Sequence, residues 1–271
     1  MPQSLIIDLA YLSPVEPTSN LPDPEVVVQK LRRLGCPWPA PRVAETTEST
    51  NADALGALAQ GAETGLCFVA GEQTAGRGRQ GRAWVSDPGA GLWCSTVIRD
   101  FPHPGRLPLL AGLALIDAAT ALDGPPLSVK WPNDVLARDG RKLAGILVEG
   151  RSDGAVIGIG INVDHSAESL PVDHAVSWRL ASDQVPDRST LLATLLASLH
   201  LRLTGDWPGA LESYRHRCST LGRDVMVEFP GGQTLTGRAM DIDDEGHLLV
   251  EDGQTTRTVV AGDVVHATIA P

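Results

Sequence analysis

The chain has 271 residues, with 22 Lys+Arg against 33 Asp+Glu and a formal net charge of −11, a balance that disfavours bulk electrostatic binding to nucleic acid or to anionic membranes. The composition, 42% hydrophobic and 20% charged, is that of an ordinary globular protein long enough for a sizeable core. The longest apolar stretch, 107–122, is interrupted by Pro108, Gly112 and Asp117 and falls short of the roughly 20 residues that a bilayer needs.

The start, Met1-Pro2-Gln3-Ser4, has no basic n-region, and Cys36, Cys67, Cys94 and Cys218 form no C-x-x-C pair. Reduced thiols and a cytoplasmic location are therefore expected. Basic residues are 19 Arg but only 3 Lys (Lys30, Lys130 and Lys142), so a retained lysine hints at a need for an ammonium.

Residues 1–41 hold 8 of the 20 prolines and read as an extension draped on the next domain. They contain one short helix, with Asp23 as N-cap, Pro24 at its first position and Gly35 as its stop. From 42 to 218 the pattern predicts helices at 52–60, 107–122, 190–203 and 209–218. Strands are predicted at 42–46, 66–70, 92–99, 127–131, 135–138, 143–149 and 155–163. Asp139-Gly140 and Asp153-Gly154 mark hairpins, which makes this an α+β domain with a mixed or antiparallel sheet and flanking helices. From 219 to 271, five short alternating runs (225–229, 234–240, 247–250, 256–260 and 264–269) predict a small β-barrel. Its balance is acidic, 3 Arg to 9 Asp+Glu.

Four segments carry chemistry. Gly76, Gly78 and Gly81 satisfy G-x-G-x-x-G, but Ala83-Trp84-Val85-Ser86-Asp87-Pro88 opens no helix, so the dinucleotide fingerprint fails. A P-loop fails too, because Arg77-Gly78 stands where Lys and Ser/Thr are required. What remains is a glycine loop carrying Arg77, Arg79 and Arg82, suited to a polyphosphate or a carboxylate. Lys130-Trp131-Pro132-Asn133-Asp134 places polar groups at a strand end. Lys142 starts the next strand, where Gly145 permits close approach by a ligand, and Gly158-Ile159-Gly160-Ile161-Asn162 puts one polar residue in a buried strand. Within Glu48-Ser49-Thr50-Asn51-Ala52-Asp53, Thr50-x-x-Asp53 reads first as a capping box with Asp in place of Glu. Asp241-x-Asp243-x-Glu245-Gly246 nearly fits a calcium loop, yet its alternating flanks make it an acidic hairpin turn. The seven histidines show no metal spacing.

In order along the chain, Ser49-Thr50-Asn51, the run Gln73–Arg82, Trp84, Lys130–Asp134, Lys142–Leu147 and Gly158–Val163 resemble the biotin–protein ligase family, and the C-terminal barrel resembles that family's SH3-like appendage. The resemblance implies a synthetase-like catalytic domain over 42–218. It also implies an enzyme that activates biotin with ATP as biotinyl-5′-AMP and then transfers biotin to a lysine of a biotin carboxyl carrier domain of acyl-CoA carboxylases. By the same resemblance Lys142, Arg77 and Arg79 are catalytic, and Ser49, Thr50, Asn51, Gln73, Arg77, Gly78, Arg79, Lys142 and Gly145 bind biotin. Arg79, Arg82, Trp84, Lys130, Asn133, Asp134, Lys142 and Asn162 serve ATP, with Trp84 stacking on adenine. Mg²⁺ arrives with ATP and no resident metal is expected.

Bifunctional members carry a winged-helix repressor domain. Residues 1–41 are too short and not basic enough for one, so no DNA and no membrane partner is expected, and the protein is a monomer or a homodimer. A lipoate–protein ligase of the same fold is the alternative, although its Arg-Arg-x-Ser-Gly-Gly-Gly pattern is absent. A non-catalytic biotin-sensing protein is the other.

Overall fold

The computed structural model describes residues 21–182, 184–229, 231–260 and 262–266. Residues 1–20 of the expected extension and 267–269 of the last expected strand lie outside these. Helix α1 (Pro24–Arg33) begins where expected, with Asp23 Oδ1 accepting from the Glu25 and Val26 amides at 2.8 and 3.3 Å. Gly35 follows at φ 72°, a conformation that ends the helix at low cost.

Strand β1 (Arg42–Thr47), helix α2 (Thr50–Ala59) and strand β2 (Cys67–Gln73) form a parallel β-α-β unit. The hairpin signals alone did not predict this pairing. Strands β3 (Gly91–Ile98), β4 (Leu127–Lys130), β5 (Asp134–Ala137), β6 (Lys142–Arg151) and β7 (Gly154–Asn162) complete a seven-stranded sheet in the order β1-β2-β3-β7-β6-β5-β4. All its other pairings are antiparallel, and Asp139-Gly140 and Asp153-Gly154 lie at the hairpin turns as expected.

Alternation along the strands separates two faces. On one, Cys94, Ile98, Ile157 and Ile159 join the main core with helices α3 (Leu107–Ala121) and α5 (Arg188–Thr204). Helix α3 is apolar all round and buried, and Gly112 lets the sheet come close: a Cβ there would lie 2.9 Å from Val129 Cγ1. Helix α1 packs on α5 through fully buried Val27 and Leu31, and the Asp23 amide donates to Ser189 Oγ at 2.9 Å. On the other face, α2 covers only part of the sheet, through Ala54 and Leu58 against Val97 and Val156. The uncovered part is where the site lies.

A short helix, α4 (Trp178–Ala181), precedes α5, and α6 (Trp207–Arg217) follows it. Strands β8 (Asp224–Glu228), β9 (Thr234–Ile242), β10 (Leu248–Glu251), β11 (Thr256–Val259) and β12 (Asp263–His266) then form the expected five-stranded unit, antiparallel in the order β11-β10-β9-β8-β12. The acidic turn between β9 and β10 is closed by Asp243 Oδ1, which accepts from the Glu245 and His247 amides. Trp131, buried at the β4–β5 turn, joins the two sheets: its amide donates to Thr220 Oγ1 at 3.0 Å and its Nε1 to the Gly246 carbonyl at 3.0 Å. Among the described residues no helix is long and apolar enough to cross a membrane.

Because Leu31 is fully buried between α1 and α5, Leu31→Ala should lower unfolding free energy by about 2–5 kcal/mol in a denaturant titration. A loss below about 1 kcal/mol would mean that α1 is not part of the core.

Candidate active site

The register of β3, β7 and β6 builds a floor. Trp93, Gly160 and Gly145 stand in one row, Ser95, Gly158 and Leu147 in the next, and Val97, Val156 and Glu149 in the third. Three of these nine positions have no Cβ, and side chains from outside the sheet fill the space. A Cβ at Gly158 would meet Asn51 Oδ1 at 2.0 Å. One at Gly160 would lie 2.6 Å from Trp84 Cε2, and one at Gly145 2.7 Å from Trp84 Cζ3. The sequence suggested that a ligand comes close to Gly145. In the structure the Trp84 indole itself lies there, edge-on to Trp93 with ring centroids 6.2 Å apart.

The N-terminus of α2 forms a polar wall above this floor. No capping box forms there: Ser49 occupies the cap position without a side-chain cap bond, and Asp53 accepts from Thr47 Oγ1 instead. The cap comes from another strand, since Gln73 Oε1 accepts from the Thr50 amide at 2.9 Å and approaches Thr50 Oγ1 at 3.0 Å. Gln73 Nε2 donates to Ser86 Oγ at 2.9 Å. Asn51 Nδ2 donates to Glu149 Oε2 at 2.7 Å, and Ser95 Oγ donates to Asn51 Oδ1 at 2.6 Å. Nothing in the sequence signals Ser95 or Glu149, because only strand register brings them to the wall. The buried Ser49 Oγ and Trp84 Nε1 have no hydrogen-bond partner among the described residues.

The glycine–arginine loop is a small hairpin and not the start of a helix, which removes the dinucleotide reading on structural grounds. Gly78 N donates to Arg82 O at 2.7 Å and Trp84 N to Gly76 O at 2.9 Å. Gly76 is required there, because a Cβ would lie 2.3 Å from Trp84 O. Arg79 reaches across the cavity, its Nη1 donating to Asn133 Oδ1 at 2.9 Å and to the Gly262 carbonyl at 3.2 Å. Arg77 is half exposed, with Nη1 3.9 Å from Glu149 Oε1, a separation at which the pair contributes little to stability.

Lys142 opens β6 beside these groups. Its Nζ lies 2.6 Å from Asp134 Oδ1 and 5.3 Å from the Trp84 ring centroid. Its backbone pairs with the segment before α4, accepting from Val176 N at 2.9 Å and donating to His174 O at 2.8 Å. Pro171, Val172, His174 and Ala175 thus form a further wall that the sequence did not reveal.

A cavity of about 310 Å³ gathers Ser49, Thr50, Asn51, Gln73, Arg77, Gly78, Arg79, Arg82, Trp84, Asn133, Lys142, Gly145 and Asn162 among its lining residues. Lys130 and Asp134, expected to serve ATP, do not line it. Lys130 ends β4 at the residue paired with Asp134, and Asp134 holds the Lys142 ammonium. Of the Lys130–Asp134 motif, Trp131 packs between the sheets and Asn133 alone reaches the cavity.

Residues 43–165 match the Biotin/lipoate A/B protein ligase family, and 220–267 match the Biotin protein ligase C terminal domain. A biotin--[acetyl-CoA-carboxylase] ligase of Mycobacterium tuberculosis is 42% identical over 244 residues, 86% of this chain and 91% of that one. The chain belongs to the biotin–protein ligase family. A second member, the biotin--[acetyl-CoA-carboxylase] ligase of Paracoccus denitrificans, is 33% identical over 80% of this chain and 97% of its own. A biotin protein ligase from Aquifex aeolicus, solved in complex with biotin and ATP, superposes with a TM-score of 0.74 at 25% identity, covering 84% of this chain and 99% of that one. The α+β architecture with its smaller C-terminal sheet is thus that of the family.

If the floor glycines exist to seat Trp84, Gly160→Ala should cost about 1–3 kcal/mol of stability in the parent and markedly less in a Trp84→Ala background. Equal costs in both backgrounds, measured by denaturant unfolding, would contradict this.

Proposed function

We propose that this ligase joins biotin to ATP at the cavity, forming biotinyl-5′-AMP and releasing pyrophosphate, and then passes the biotinyl group to a lysine of a biotin carboxyl carrier domain in the cytoplasm. The observation that carries the reading is the position of Lys142. It lines one cavity with a polar wall suited to a small head group and a loop of three arginines suited to phosphates.

In the first step a biotin carboxylate oxygen attacks the α-phosphorus and the bond to pyrophosphate breaks. Two anions must meet, so fixed positive charge is the main device. In this reading the Lys142 ammonium meets both the carboxylate and the α-phosphate. Asp134 keeps its chain from wandering, so little ordering remains when substrates bind. Arg77, Arg79 and Arg82 hold phosphate oxygens, and guanidinium forks suit them. Ser49, Thr50 and Gln73 hydrogen-bond the ureido head of biotin, with Asn51 behind them. Trp84 covers the floor beneath the ligand and offers an indole face for adenine.

Among the described residues no group of three or more His, Cys, Asp or Glu is placed to hold a metal ion. Asn162, held through Nδ2 by the Val176 carbonyl, would leave its amide oxygen for the water shell of a Mg²⁺ carried by the triphosphate, whereas the Asn133 oxygen already takes Arg79 Nη1. Such an ion would neutralise phosphate charge. In the second step the carrier lysine, as the free amine, attacks the acyl carbon; AMP leaves and the amine proton is lost to solvent.

Lys142→Ala should slow formation of biotinyl-5′-AMP, followed by mass spectrometry of the quenched reaction, by roughly a hundredfold or more while the unfolding midpoint stays near that of the parent. Near-parental adenylate formation by the folded variant would overturn the assignment.

A further inference from the structure

Glu149 does not line the cavity, yet its carboxylate receives the Asn51 amide at 2.7 Å. An ionised carboxylate accepts hydrogen bonds and gives none, so Asn51 must turn its NH₂ toward β6 and its carbonyl toward Ser95. The Ser95 hydroxyl donates to that carbonyl at 2.6 Å, which spends its one proton. In the 2.7 Å contact between Ser95 Oγ and Thr50 Oγ1, threonine is therefore the donor. The other near neighbour of Thr50 Oγ1, Gln73 Oε1 at 3.0 Å, is also an acceptor. Either way the threonine proton is spent within the protein, and all that the Thr50 hydroxyl has left to offer in the cavity this residue lines is lone pairs.

We infer that Glu149 is a positioning residue that sets the direction of this hydrogen-bond chain, so that the wall at Thr50 accepts and selects a ligand presenting N–H donors there. The inference rests on the biotin reading above, since the ring N–H groups of a cyclic urea are such donors. Without the carboxylate, the Asn51 amide is free to flip. A flipped amide presents its NH₂ to Ser95, which sends the serine proton toward Thr50 and the threonine proton into the cavity, against the ligand's own N–H. The neighbouring Arg77, half exposed and 3.9 Å from Glu149, cannot enforce the orientation from its side.

The test uses the full chain with biotin as probe. Glu149→Ala should raise the biotin Kd and the biotin KM about tenfold, and Glu149→Gln, whose carbonyl can still accept from the Asn51 amide, should raise them less, while kcat, the KM for ATP and the unfolding midpoint stay close to the parent. The double variant Asn51→Asp/Glu149→Gln exchanges donor and acceptor at that contact. The carboxylate introduced at position 51 then accepts from the amide introduced at position 149 and from the Ser95 hydroxyl. The direction of the chain is restored, and the biotin Kd should return to within roughly threefold of the parent. Parental biotin binding by Glu149→Ala, or a double variant no better than Asn51→Asp alone, which opposes two carboxylates, would overturn the role of Glu149 alone. A parent protein that binds no biotin would overturn the ligase reading as well.

Discussion

The site depends on a strip of sheet without Cβ atoms. Gly145, Gly158 and Gly160 lie on adjacent strands in adjacent rows, and their bare backbone lets Asn51 and Trp84 lie directly on the sheet. Any larger residue at these positions would push those side chains away from the floor. The strip also explains why α2 covers only part of this face: its N-terminus stops over Gly158, and the indole takes the next row. The cavity is the space left between a helix end, a hairpin loop and the segment before α4, all three anchored to one rigid floor. Functional groups held on such elements lose little freedom when a ligand arrives.

Charge is arranged on the same plan. The molecule is acidic overall, yet Arg77, Arg79, Arg82 and Lys142 converge on one cavity. Asp134 tethers Lys142 from outside the lining, and Glu149 tethers Asn51 in the same way. In each case a carboxylate beyond the cavity fixes a group within it. The Lys142 ammonium and the Asn51 amide keep an order that solvent alone would not give them, and both carboxylates stay outside the cavity lining. The contact from Arg79 to Gly262 ties the arginine loop to the edge of the C-terminal sheet, so the two sheets meet at the site as well as around Trp131.

The sequence was most informative where local chemistry decides the outcome. Asp23 and Gly35 bound α1, Asp139-Gly140 and Asp153-Gly154 turn the hairpins, and the apolar run of α3 is buried on all sides. Motif order also brought most of the cavity lining together. It missed features that only register or long-range pairing creates. The parallel β1–β2 pair has no turn signal because a helix joins its strands. Thr50 and Asp53 matched a capping box, yet Gln73, a residue on another strand, caps the helix. Lys130-Trp131-Pro132-Asn133-Asp134 read as a single polar unit, but the tight turn divides it among an intersheet weld, a cavity residue and a tether for Lys142. Glu149 was invisible as a functional group, since its row and partner follow from pairing with Val156.

The central claim is that one cavity recognises a ureido head group and brings its carboxylate to ATP. Pyrophosphate exchange into ATP, measured with biotin, with lipoate and with no acid, tests it most directly, because exchange requires reversible formation of the acyl-adenylate and reports acid specificity in the same assay. Exchange with biotin and background rates with lipoate or no acid are expected. Exchange supported by lipoate and not by biotin, or by neither acid, would contradict it.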